Sequence, residues 1–261
     1  MKEHLERNRQ NLIYGVVTLN NYGGNLIKEE EIRSRIMPEV IKKKDLKILF
    51  SRNTQGSYKK LSKVTVGIAG AGGLGSNVAH LLVRAGVGRL IIDDPDEIEL
   101  SNLGRQLYFT DQVGKMKVEA LKENLKNINP FVKIETYRVK LNESNISTVF
   151  IGVDLLIEAL DESKAKRMLV DGFTKYIPET PIIMASGLGG YGNNNKIKTQ
   201  RVDRYIWVIG DLKTGVEHGL MAPRVCLVAA AQANLAIELL LKEEELENIN
   251  PLRSFPIVGG G

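Results

Sequence analysis

One cysteine in 261 residues leaves this chain unable to form an internal disulfide or a cysteine-rich zinc site. That residue, Cys226, sits in RVCLVAAAQANLAIELLL among small and apolar neighbours, with Arg224 the only cation close by. It reads as an inert core residue rather than a reactive thiol. Long hydrophobic runs are also missing. A bilayer span needs about 20 consecutive apolar residues, and the best stretch, 225–241, is interrupted by Gln232, Asn234 and Glu238. The opening MKEHLERNRQ has no apolar core, which reads against a secretory signal. A cytoplasmic protein without membrane association is expected. Nor is there much excess charge of one sign: 36 Lys+Arg against 31 Asp+Glu leave a net +5. So small an excess argues against a nucleic-acid partner, and the clusters at 42–44 and 59–60 read as solvated faces. Internal repeats are absent. With 43% hydrophobic and 26% charged residues, the chain has ordinary material for a globular core.

What is present is strand–helix alternation. From residue 63 onward, apolar strand candidates at 64–69, 89–94, 132–139, 155–159 and 182–185 are separated by helical stretches at 74–85 and 115–127, and from about 144 and 163. Such alternation implies parallel βαβ units. Residues 193–207 read as a hairpin or antiparallel pair, and Pro223 opens a last helix to about residue 241. The expected fold is α/β: a Rossmann-like, mostly parallel sheet with helices on both faces and antiparallel strands toward the C-terminal half. Residues 1–50 read as an N-terminal extension, with strands at 12–18 and 46–50 and a helix over 28–43. Residues 51–245 form the nucleotide-binding domain, and 246–261 a flexible, glycine-ended tail.

The first chemical signal is Gly70-Ala71-Gly72-Gly73-Leu74-Gly75, directly after the first strand and opening a helix. Glycines permit a tight turn there and let the backbone approach a phosphate at the helix N-terminus. Gly70, Gly72, Gly73 and Gly75 are therefore nucleotide-binding candidates. Asp94 ends the second strand, where a carboxylate can accept from ribose hydroxyls. This much also fits an NAD-dependent oxidoreductase, or a structural turn without a ligand. Asn102 and Arg105, in Ser101-Asn102-Leu103-Gly104-Arg105-Gln106, and Lys117 beyond them favour a triphosphate instead. An amide, a guanidinium and an ammonium at one pocket suit ATP, holding the α-phosphate for attack and stabilising a leaving pyrophosphate. Asp161 follows the apolar run LLIEAL at another strand's carboxyl end. It can hold Mg²⁺ against the phosphates, or cap the next helix, and the two roles are compatible.

Together, GIAGAGGLGSNVAHLLVRAGVGRLIIDD, ELSNLGRQ, VGKMKVEALKENLKNINP and IEALDE resemble the ThiF/MoeB-type adenylyltransferases, the bacterial relatives of ubiquitin-activating enzymes, over residues 52–242. The stretches ASGLGGYGNNNKIKT and GLMAPRVCLVAAAQANLAIELLL are similar to the short branch of sulfur carrier protein (ThiS) adenylyltransferases, ThiF. The resemblance implies ATP and Mg²⁺ as cofactors and a homodimer. It implies Asp94 on the ribose, Asn102, Arg105 and Lys117 on the phosphates, and Asp161 on Mg²⁺. The implied reaction joins AMP to the C-terminal Gly-Gly carboxylate of a small ubiquitin-like, ThiS-like sulfur carrier of thiamine thiazole biosynthesis.

Three departures from the family narrow this. The paired Cys-x-x-Cys motifs of zinc-bearing members are missing, so no zinc is expected. Residues 211–221 contain no cysteine for a persulfide or thioester, so a separate sulfur donor protein is implied. The arginine that the family supplies across the dimer has two candidates, Arg9 in Asn8-Arg9-Gln10 and Arg52, of which Arg52 stands at the more fitting distance from the first strand. Gly259, Gly260 and Gly261 resemble a carrier's own tail, and read as a flexible end. The competing readings are adenylation of a non-protein carboxylate, as in tRNA threonylcarbamoyladenosine dehydratases, an NAD-dependent oxidoreductase, and a partner-binding module without catalysis.

Overall fold

The apolar runs line up as parallel strands in the computed structural model of the chain, which describes residues 41–242. These strands are β1 (Thr65–Ala69), β2 (Arg89–Asp93), β3 (Lys133–Tyr137), β4 (Leu155–Glu158) and β5 (Ile182–Ala185). β6 (Lys198–Asp203) and β7 (Ile206–Gly210) form an antiparallel pair, and β7 continues the sheet parallel to β5. The order is β3-β2-β1-β4-β5-β7-β6. Every residue of β1 and β4 is buried, as expected for central parallel strands covered on both faces.

The described helices are α1 (Leu46–Leu49), α2 (Ser57–Leu61), α3 (Gly73–Ala85), α4 (Lys117–Ile128), α5 (Ile146–Val149), α6 (Ser163–Tyr176) and α7 (Ala222–Leu241). Because strand side chains alternate faces, Val66, Ile68, Leu90, Ile92 and Ile157 pack with α3, α4 and α7. Ala69, Ile91, Leu156 and Ile182 pack with α5 and α6 on the other side. The expected Rossmann-like sheet, with its antiparallel pair toward the C-terminal half, is therefore present. The crossover from β1 runs to β2, and the one from β4 runs the opposite way, to β5. That makes the carboxyl ends of β1 and β4 the switch point where ligands bind in such sheets.

Several expectations need correction. Residues 46–50 are not a strand: Leu46–Leu49 is a short helix that buries Leu46. The helix from 144 is only the four residues of α5. Cys226 is exposed rather than in the core. α7 buries Val225, Val228, Ala229, Gln232, Ala233 and Ala236 at helical spacing, and Cys226 falls on the outward side, with its thiol donating to Asn77 Oδ1 at 3.6 Å. Partial burial pushes the thiol pKa up, so it gains no nucleophilic character. Among the described residues, α7 alone has the length and apolar content of a membrane span, contrary to the reading of 225–241, and 56% of that stretch is buried inside the fold. Gln232, which seemed to interrupt it, is fully buried and donates to Glu158 O and Ile183 O. The strand at 12–18, residues 28–40 of the helix expected over 28–43, Arg9 and the glycines at 259–261 lie outside the described residues; residues 41 and 42 are not helical, and a 3-10 turn (Lys43–Asp45) follows them.

Candidate active site

The glycine turn sits between β1 and α3, at the switch point. Gly70 adopts φ +99°, and a Cβ there would stand 2.7 Å from Ala159 O in the loop after β4. Gly75 is tighter: a Cβ would lie 1.8 Å from Gly70 O, so α3 can approach the turn only with glycine at that position. A Cβ on Gly73 would press on Val225 of α7 at 3.1 Å, whereas one on Gly72 would make only ordinary contact with Gln106 Nε2 at 3.9 Å. The first backbone bond of α3 runs from Ser76 N–H to Gly72 O. The N–H groups of Gly73, Leu74 and Gly75 thus precede the helical ladder and face an incoming anion with the positive end of the helix dipole. Gly75→Ala is expected to destabilise the fold by about 3 kcal/mol, as an overpacking substitution. Urea unfolding checks this, and an unchanged midpoint would show that the turn has room to shift.

Asp94 folds back on this turn. Its Oδ2 accepts the Ala71 N–H at 2.7 Å, and its Oδ1 accepts the Asp96 N–H at 2.9 Å. A bridge between Glu97 and Met116 returns the chain antiparallel to itself and brings Lys117 alongside. The Lys117 N–H donates to Asp96 O, while its ammonium lies 2.7 Å from Asp96 Oδ2 and 3.6 Å from Asp94 Oδ1. Burial raises the Asp94 pKa, opposed by the Asp96 N–H, Lys117 and the Ala71 N–H. Its neighbour Asp93, also buried, accepts only the Val139 N–H among the described residues, and burial pushes its carboxyl up to about 7.

Arg105 lies beside the helix start. Asn77 Nδ2 donates to both Gly73 O and Arg105 O, at 2.7 and 3.0 Å. The aliphatic stem of Arg105 comes within 3.6 Å of where a Gly73 Cβ would be, and its guanidinium donates to Ser101 O. Ser76 donates to Gly72 O and accepts the Leu107 N–H, and Tyr108 donates to Ala71 O at 2.7 Å. Ser76, Asn77 and Tyr108 were not anticipated, yet they tie the Arg105–Tyr108 segment to the glycine turn. The signal for Ser76 and Asn77 was two polar residues immediately after the last glycine, in a helix turn that must be buried. Asn102 is buried, and its Oδ1 closes a 3-10 turn (Leu100–Gly104) by accepting the Glu99 N–H.

Asp161 is exposed, two residues beyond the Ala159 carbonyl that abuts Gly70. No hydrogen bond or ion pair holds its carboxylate among the described residues. The cap alternative is corrected: Glu162 occupies the N-cap of α6, with no side-chain cap bond. Arg52 is not brought to this site. It precedes Asn53, whose Nδ2 donates to Ala85 O at the far end of α3, and a 13-residue helix is about 20 Å long. A cavity of about 460 Å³ lies elsewhere, between α6 and β5–β7, walled by Lys166, Val170, Met184 and Val208.

The model of the ThiF family matches residues 45–259. The chain is 32% identical over 210 residues to the adenylyltransferase and sulfurtransferase UBA4 of Candida glabrata, covering 76% of this chain and 48% of that protein. It thus spans about half the length of the curated relatives it matches. The E. coli tRNA N6-threonylcarbamoyladenosine dehydratase TcdA, solved with ATP, superposes with a TM-score of 0.71 at 17% identity, over 78% of this chain and 98% of that one. E. coli MccB with ATP gives 0.56 at 24%, over 75% and 60%. These two likenesses speak for the fold. The family match runs over most of the length and takes in the glycine turn, Asp94, Lys117 and the loop after β4: this chain belongs to the ThiF family.

Proposed function

We propose that the chain is an ATP-dependent adenylyltransferase acting on the C-terminal carboxylate of a small ubiquitin-like sulfur carrier. The carrying observation is the buried ammonium of Lys117 beside Asp94 at the open glycine turn. A cation there serves a polyphosphate, whereas an oxidoreductase needs a flat slot for nicotinamide. The similarity to UBA4 of Candida glabrata supports an adenylyltransferase, and the TcdA and MccB structures with ATP support that nucleotide.

In this reading Asp94 holds the ribose, the N–H groups of the glycine turn with Asn102, Arg105 and Lys117 hold the phosphates, and Gly70, Gly72, Gly73 and Gly75 give them room. The attacking carboxylate is ionised near pH 7, so no general base is required. Its oxygen bonds to the α-phosphorus as the bond to the bridging oxygen breaks, giving an acyl-adenylate and pyrophosphate. Arg105 and Lys117 stabilise the charge that develops, and positioning supplies the rest. Asp161 fits Mg²⁺, because one or two carboxylates plus phosphate oxygens make an ordinary site for that ion. When bound, Mg²⁺ would neutralise phosphate charge. The finer reading is a ThiS-like carrier of thiamine biosynthesis, a cytoplasmic homodimer in which Arg52 reaches the partner's nucleotide, and a separate sulfur donor.

The test is ATP–pyrophosphate exchange with purified Gly-Gly-ended carriers, each also prepared without its last glycine. Exchange with one intact carrier, lost on truncation, is the expected result. No exchange with any carrier would remove the carrier reading, and NAD binding without ATP binding would remove adenylation altogether.

A further inference from the structure

Glu158 ends β4 and is fully buried, in a strand otherwise made of Leu155, Leu156 and Ile157. Lys166, one turn into α6, meets it with Nζ at 2.8 and 2.9 Å from the two carboxylate oxygens and 3.1 Å from Ala185 O. The pair lies eight residues apart in sequence, so it closes the base of the loop that holds Asp161. Packing alone does not require charge here, since apolar residues of similar volume commonly replace a buried ion pair without loss of stability. What they cannot replace is a second task of the carboxylate: Oε1 also accepts the Leu160 N–H at 2.7 Å. The preceding residue is pinned as well, with the Ala159 N–H on Ala69 O at 2.9 Å and its carbonyl against Gly70. Asp161 comes next and has no side-chain partner among the described residues, so its place depends on how Leu160 is held.

We propose that Glu158 and Lys166 are positioning residues, a clasp that fixes Leu160 and thereby sets Asp161 at the glycine turn. The proposal rests on the role given to Asp161 above. Lys166 aims the carboxylate through both of its oxygens; burial raises the Glu158 pKa, and the ammonium opposes that rise. The Leu160 N–H is the working contact.

Two double variants test this. Glu158→Leu with Lys166→Met removes both charge and acceptor. Glu158→Gln with Lys166→Met removes the charge but keeps a carbonyl for Leu160. The first is expected to melt near the wild type, to lower kcat for pyrophosphate exchange about tenfold to a hundredfold with the KM for ATP nearly unchanged, and to speed hydrogen exchange at the Leu160 amide at least about tenfold. The second should keep Leu160 protected and kcat within about fivefold of the wild type. Retained protection and kcat in the first variant would overturn the clasp, as would an equal loss in both. If the first does not fold, the second decides: a folded protein with an exposed Leu160 amide refutes the proposal. Absence of exchange by the wild-type protein would sink the adenylation reading instead, and the Leu160 amide would still report on the clasp.

Discussion

Lys117→Ala is expected to slow ATP–pyrophosphate exchange by about 10²- to 10³-fold, the usual result of deleting one charge-stabilising donor from a reacting phosphate or acyl centre. The side chain is only 9% exposed, and its ammonium faces both Asp94 and Asp96. Deleting it removes the buried cation beside Asp94 and leaves two carboxylates facing one another. Burial already raises the Asp94 pKa, and Lys117 is one of the groups that holds it down. In the variant Asp94 should therefore protonate at higher pH than in the wild type, and ATP affinity should fall sooner as pH drops. Exchange rates and the KM for ATP between pH 6 and 8 measure both effects, with a thermal melt to confirm folding. A rate within about threefold of the wild type would take Lys117 out of the mechanism.

That prediction depends on a placement only half legible in the sequence. Parallel strands buried on both faces mark themselves as apolar runs, so β1 expected at 64–69 is found at Thr65–Ala69 and β5 at Ile182–Ala185 as read. The glycines, Asp94 and Lys117 were visible as residue types at strand and helix ends. Their convergence was not, because it depends on the Glu97–Met116 bridge and on three side chains that tie residues 105–108 to the turn. Residues 46–50, LKILF, fit either a strand or one helical turn, and so short a run carries no period to decide between them. Cys226 misled because α7 has small or apolar residues on its outward stripe as well as its inward one, so composition does not distinguish the faces. Glu158 was legible in principle. A lone carboxylate inside an apolar strand is a buried charge that needs a partner, but the sequence does not say which lysine provides it.

Arg224→Met is expected to destabilise the fold by about 3–5 kcal/mol, the range for removing one member of a buried ion pair. Arg224 stands in the first turn of α7 and is 5% exposed. Its guanidinium donates to Asp211 Oδ2 at 2.6 Å, to Gly192 O at 2.6 Å and to Thr214 Oγ1 at 3.3 Å. It thereby ties α7 to the loops that follow β5 and β7. Asp211 would keep the Lys213 and Thr214 N–H groups and the Thr214 hydroxyl, but its buried charge would lack a counterion. Burial pushes the Asp211 carboxyl up, yet those donors and Arg224 more than offset it and hold the pKa at about 2. A folded value below the ordinary 3.8 means that Asp211 contributes stability at neutral pH, and that this contribution is lost as pH falls through 4 toward 2. Without Arg224 the folded pKa should rise, so part of the contribution is already missing at pH 7. Urea unfolding at pH 7, 5 and 4 separates these terms. The gap between wild type and variant should be widest at pH 7 and narrow toward pH 4, as Asp211 protonates first in the variant. A variant within about 1 kcal/mol of the wild type at pH 7 would mean that neighbouring donors suffice for Asp211. The consequence reaches the nucleotide, because Val225, the next residue, packs where α3 begins at Gly73. A weaker hold on α7 should therefore raise the KM for ATP as well.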